Sequence, residues 1–138
     1  MKVFISGSIS IKILPKVAKE KLDSIIEKNL TVLVGDANGV DKLIQEYLRN
    51  KSYQNVYVYY AGSSIRNNLA NWHVVNVPSN LTGRALYTQK DKKMALDADY
   101  GMMIWDGKSQ GTKANIDEMS KYGKHFYVIQ NDNSVRFV

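Results

Sequence analysis

The sequence predicts an α/β fold: a three-layer sandwich with a mostly parallel central sheet, formed by one domain spanning residues 1–138. Three observations carry this. Short apolar runs alternate with stretches of helical periodicity along the whole chain. Those runs are continuous rather than alternating, as in parallel strands buried on both faces. The 138 residues suit one core, and neither a repeat nor a linker interrupts them.

The elements follow in order. The run 2–6 reads as a strand ending at Gly7-Ser8. Pro15 suits a first helical turn, where its missing N–H costs nothing. Val17, Ala18, Leu22, Ile25 and Ile26 then recur at helical spacing up to Lys28, and Asn29 is the stop. Residues 31–34 form an apolar strand closed by Gly35. Residues 40–50 are helical, with Val40, Leu43, Ile44, Tyr47 and Leu48 on one face. A β-rich run, 55–60, ends at Ala61-Gly62. The polar stretch 63–83 holds one short strand, 73–77. Residues 88–98 read as a helix with Met94, Ala95 and Ala98 inward, and 101–105 as a buried strand. The loop after Trp105 opens a helix over 112–122, capped by Thr112 and closed by Gly123. The run 125–129 is a strand, and 134–138 a final edge strand. Right-handed crossovers arrange such units as a Rossmann-like sandwich.

Composition narrows the classes. Hydrophobic residues make up 44% and charged residues 23%, a globular rather than disordered balance. With no cysteine, the chain has no disulfide, thiolate metal site or thiol nucleophile. No apolar run approaches the roughly 20 residues that span a bilayer, and the first residues are too short in apolar length for a signal peptide. A soluble cytoplasmic protein without a membrane partner is expected. The net charge of +6 attracts phosphates, yet the basic residues are spread out, as on solvated helix faces. His73 and His125 are far apart and make no metal signature, so neither a metal nor a cofactor is expected. No nucleophile elbow occurs.

In parallel α/β sheets the ligand lies beyond the carboxyl ends of the strands. That rule selects four segments: 7–10, 35–41, 62–66 and 106–112. The first supplies Gly7, Ser8 and Ser10. The second, with Gly35, Asp36, Asn38 and Gly39, turns tightly into a helix. Asp41, in its first turn, has two readings: it serves exposed N–H groups there, or it accepts from a ribose hydroxyl. The fourth segment, with Asp106, Gly107, Lys108, Ser109, Gly111 and Thr112, leads from a buried strand into a helix. Free N–H donors at that helix start, a lysine and two hydroxyls make an anion pocket. Neither a P-loop nor a Gly-x-Gly-x-x-Gly fingerprint is present. Arg66 and Arg84 are candidates to clasp a phosphate, Arg84 the better placed after Gly83. Trp105, Tyr57, Tyr59 and Tyr60 read as packing residues.

The segments Gly35-Asp-Ala-Asn-Gly-Val-Asp41 and Ile104-Trp-Asp-Gly-Lys-Ser-Gln-Gly-Thr112, with Tyr87-Thr-Gln-Lys-Asp-Lys-Lys-Met94 and Ala98-Asp99, resemble the SLOG superfamily of Rossmann-like proteins. That group includes the DprA and LOG proteins, and the likeness is to its small stand-alone members. The resemblance covers residues 2–129 and implies a nucleotide or nucleotide-derived ligand over the Gly35 and Gly111 loops. It also implies self-association, for which Val40, Leu43 and Tyr47 offer an apolar face.

LOG hydrolases carry a glutamate three residues after a Gly-Thr pair; here that position is Asn115. An amide is neither a carboxylate nucleophile nor a base, so the catalytic candidates become Asp106 and Glu118. The reading is therefore a nucleotide-binding sensor or carrier. N-glycosidic cleavage or transfer is the alternative, and a single-strand nucleic-acid-binding module the second.

Overall fold

A computed structural model describes all 138 residues. Eleven elements follow one another: β1 (Lys2–Gly7), α1 (Lys16–Glu27), β2 (Thr31–Gly35), α2 (Val40–Asn50), β3 (Val56–Ala61), β4 (His73–Val77), α3 (Gly83–Asp97), β5 (Tyr100–Trp105), α4 (Gln110–Lys121), β6 (Phe126–Gln130) and β7 (Val135–Phe137). The sheet runs β4-β3-β2-β1-β5-β6-β7, with every neighbouring pair parallel except β6 and β7. This is the expected Rossmann-like sandwich. No helix is long and apolar enough to cross a membrane.

Alternating side chains of the same strands build two cores. Val3 and Ile5 point with Val32, Val34, Met102 and Ile104 toward α1 and α2. Phe4, Leu33, Met103, Phe126 and Val128 point to the other face, against Met94 and Ala95 of α3 and Met119 of α4. Burial on both faces explains why the strands read as unbroken apolar runs.

The chain leaves β1 in one direction to β2, β3 and β4, then returns to place β5 and β6 on the other side. The order reverses between β1 and β5, and the loops beyond those strands splay apart and open a crevice.

Helix ends follow local chemistry. Asn29 adopts φ 52°, and the Leu30 N–H reaches the Ile25 carbonyl while the Asn29 N–H reaches that of Ile26. This Schellman closure satisfies carbonyls that α1 leaves over. Gly123, at φ 68°, closes α4 in the same way. Pro15 precedes the first turn of α1 as its N-cap rather than lying in it.

Two boundaries differ from expectation with consequences for the site. Helix α3 begins at Gly83, five residues before the expected start. Gly83 stands at φ 61°, a left-handed conformation that glycine adopts without strain, and the helix begins directly after Thr82. Helix α4 begins at Gln110, with Ser109 rather than Thr112 at its N-cap. Thr112 lies inside the first turn and is buried.

Gly39 is required where it stands. Its φ is +75°, and a Cβ there would meet the Ile9 backbone, with the Ile9 oxygen at 2.7 Å. Gly39→Ala is expected to cost about 1–3 kcal/mol, read as a lower urea midpoint. An unchanged midpoint would refute the tight approach.

Candidate functional site

The carboxyl ends of β1, β2 and β5, the start of α4 and one face of α3 enclose a cavity of about 540 Å³, and only three of its twenty lining residues are hydrophobic. The loops after β2 and β5 thus face one polar space, which apolar side chains do not fill.

The β5 side is an anion-facing wall. The Asp106 carboxylate accepts from the N–H groups of Lys108 and Ser109 through one oxygen, each at 2.8 Å. Its other oxygen accepts from Ser10 Oγ at 2.6 Å. These bonds hold its carboxyl down at about 2, the Ser10 hydroxyl contributing most. Ser8 Oγ bridges the loops, 2.8 Å from Ser109 Oγ and accepting from the Asp106 N–H at 3.1 Å. The N–H groups of Gln110, Gly111 and Thr112 have no acceptor within the protein, so the positive end of α4 opens into the cavity. Arg84, exposed at the mouth, joins no ion pair.

Asp106 therefore acts as the strut of its loop. Asp106→Ala is expected to cost about 0.5–2 kcal/mol at pH 7, as loss of a helix-start acceptor does. A carboxyl with a depressed pKa stabilises above its unfolded value of 3.8, and that stabilisation is lost as pH falls toward 2. The gap between the urea midpoints of wild type and variant should therefore narrow steadily from about pH 4 and close only toward pH 2; a constant gap would refute the assignment.

The opposite side is a carboxylate floor around one buried ammonium. Lys90 is 3% exposed, and its Nζ lies 3.6 Å from both Asp36 and Asp91. A Cβ on Gly35 would meet the Asp41 carboxylate and would come within 2.7 Å of Lys90 Nζ, so only glycine lets this group close. Burial would lower the pKa of Lys90, but the charges of Asp91, Asp41 and Asp36 outweigh it and raise the value. Burial pushes Asp41 up to about 6, against the pull of Lys90 and a 3.2 Å hydrogen bond from the Ala37 N–H. Burial also raises Asp91, opposed by Lys90 and Asn115.

Asp36 faces away from the cavity. It accepts from the Arg66 guanidinium at 2.7 Å and the Arg66 N–H at 2.9 Å. Burial alone would raise its carboxyl; the Arg66 hydrogen bonds and the Lys90 charge hold it below the usual range. Arg66 also lies over the Tyr87 ring, 4.1 Å from its centroid, and so ties the segment after β3 to α3.

Of the residues expected at the site, Gly7, Ser8, Asp41, Arg84, Asp106, Ser109, Gly111 and Thr112 line the cavity. Gly35 and Asp36 support it from behind. Gly39 is a turn residue, and Asn38 is exposed and accepts from Asn67. Gly107 and Lys108 are exposed outside the lining. Glu118 is also outside it. Lys90 and Asp91, which the sequence offers equally as a ligand contact and as a solvated helix start, form the floor; sequence reasoning missed Arg66 as a clasp on Asp36. The signal was the spacing of Arg84, Tyr87, Thr88 and Asp91, one helical face, which a helix start at 88 conceals.

No protein-family model and no curated protein matches the chain. Among solved structures, it is similar to DNA processing protein A from Helicobacter pylori, described for its single-stranded DNA binding mode, with a TM-score of 0.68 and 15% identity. The match covers 94% of this chain and 65% of that one, so this chain spans just under two thirds of that protein. At such identity the likeness is one of fold.

Proposed function

We propose that this chain is a SLOG-like domain that binds a nucleotide or nucleotide-derived small molecule in the cavity beyond β1 and β5, as a sensor or carrier. The observation that carries the reading is the placement of free donors and carboxylates on opposite sides of the cavity. One wall offers the unpaired N–H groups of Gln110, Gly111 and Thr112, with Ser8 and Arg84 nearby. The floor offers the carboxylates of Asp41 and Asp91. A phosphorylated ribose has the matching asymmetry: anionic oxygens at one end and hydroxyl donors at the other. Helix N-termini bind phosphate through their free donors and dipole. The volume lies within the roughly 300–1,000 Å³ usual for ligand pockets. Ser109 and Thr112 add hydroxyls at the phosphate end.

Calorimetry against AMP, cyclic AMP, ADP-ribose and inorganic phosphate tests the reading. Saturable binding of at least one nucleotide, weakened about tenfold or more by Arg84→Glu, is expected if one charge-assisted contact of about 1.5–3 kcal/mol is lost. No binding at millimolar concentration across the panel would end it. Chromatography of the same mixtures for free base tests N-glycosidic cleavage, for which the carboxylates lining the cavity, Asp41, Asp91 and Asp106, are the groups available.

The fold likeness to DNA processing protein A favours a second reading, a single-stranded nucleic acid as partner. Exposed Arg84 and Tyr87 at the cavity mouth, with Lys108 beyond it, would then follow the strand. Mobility shifts with an oligothymidine at two salt concentrations separate the two, since strand binding falls steeply with salt.

A further inference from the structure

The opposite end of the sheet carries a second cavity, about 600 Å³, lined by α1 and by β5, β6 and β7, with eight of its thirteen lining residues hydrophobic. Its origin is topological. Helices α1 and α2 cover one sheet face, but β6 turns directly into antiparallel β7. No crossover helix returns over these two strands, so their α1-side face is only partly covered: Ile129 is buried in the core, Tyr127 is half-buried, and the β7 residues beside them are exposed. Tyr127 pairs with Phe137, and Ile129 with Val135, which places all four on that face. Phe137 is 61% exposed and Val135 43%. The Phe137 ring packs against its neighbours, with centroids 5.4 Å from His125 and 4.9 Å from Tyr127.

The other wall is a second face of α1. Val17, Lys21, Ser24 and Lys28 recur at spacings of four, three and four along it, one side of a helix. Lys21 and Lys28 belong to no ion pair, and the Lys21 ammonium rests 3.7 Å from the Tyr127 ring centroid. Glu20 is the one acid in the lining.

We propose that this groove is a docking site for an amphipathic helix of a partner protein, apolar on its buried side and acidic on its flanks. The groove lies beside α1, on the face to which no crossover helix returns, and amphipathic helices dock in such grooves by anchors at i, i+3, i+4 and i+7. The unpaired lysines of α1 and the net charge of +6 select acidic flanks. The same charges oppose a second copy of this chain. Antiparallel pairing of β7 with its own copy about a two-fold axis at its central residue would set Arg136 opposite Arg136, which is unfavourable.

The test is a ¹⁵N-resolved NMR titration of the whole chain with a blocked 15-residue peptide, leucine at i, i+3, i+4, i+7 and i+11 and glutamate elsewhere. Saturable shifts at Val17, Ser24, Tyr127 and Phe137 are expected, with residues of the polar cavity unmoved. The double variant Lys21→Glu, Lys28→Glu should weaken binding tenfold or more. Ser24→Arg should block the groove. Each variant's spectrum reports its folding independently. A peptide with lysine in place of glutamate should bind at least tenfold more weakly. The proposal is overturned by three results: no saturable shift at the groove, equal binding of the basic peptide, or a dimer in sedimentation that Phe137→Ser dissociates.

Discussion

Lys90→Met is expected to cost about 3–5 kcal/mol of folding stability at neutral pH, the usual penalty for leaving a buried charge without its partner. Lys90 is the one ammonium among three carboxylates. Asp36 keeps Arg66 as a second cation, whereas Asp41 and Asp91 depend mainly on Lys90. Methionine preserves much of the volume and removes only the charge, so the loss is electrostatic. The pH dependence identifies it. Burial already holds the Asp41 pKa at about 6 and raises that of Asp91; without Lys90 both rise further. A folded state that binds protons above the unfolded pKa of 3.8 loses stability as pH rises. The variant should therefore approach wild type near pH 4.5 and fall away by pH 7.5. Urea denaturation at both values checks this, and coincident midpoints, or a gap independent of pH, would refute the electrostatic role of Lys90.

The second large effect concerns binding. If the Asp41 carboxylate accepts from a ribose hydroxyl, affinity must rise as that carboxyl ionises, at a pKa of about 6. ADP-ribose is the suitable probe, because its diester phosphates do not titrate in this range. Its affinity is expected to increase from pH 5 to pH 7.5. Asp41→Asn keeps the side-chain shape but weakens the acceptor; a charge-assisted hydrogen bond of about 1.5–3 kcal/mol corresponds to roughly 10–100-fold. The variant should bind that much more weakly at pH 7.5, with a flat profile. Calorimetry at four pH values decides, and an unaltered slope in Asp41→Asn would remove Asp41 from the ligand. Binding lost by Arg84→Glu with the Asp41 slope intact would leave the phosphate end standing alone.

The elements most readable in the sequence are those whose signals are local. Helix α2 occupies the expected residues 40–50, because its apolar spacing and the glycine turn before it agree. Strand β4 lies at the expected 73–77. The early start of α3 was not readable. Its first turns are exposed and hold no apolar stripe, and Gly83 within a polar stretch reads as a loop. That one boundary conceals the floor of the cavity, since Tyr87, Thr88 and Asp91 share a face only when they share a helix. Arg66 illustrates a different limit. A guanidinium near a predicted phosphate site reads as a phosphate ligand, and only the coordinates reveal that Asp36 accepts from it and from the Arg66 backbone N–H.

By itself the sequence determined the layer order and the end of the sheet where polar chemistry gathers, because both follow from periodicity and glycine placement over a few residues. The tertiary structure decided which charges meet. Lys90 and Asp36 are 54 positions apart in the chain yet 3.6 Å apart in space. The physical reason is that charge pairing acts over a few ångströms of space, and only the crossing of α3 back over the sheet brings those residues within that range.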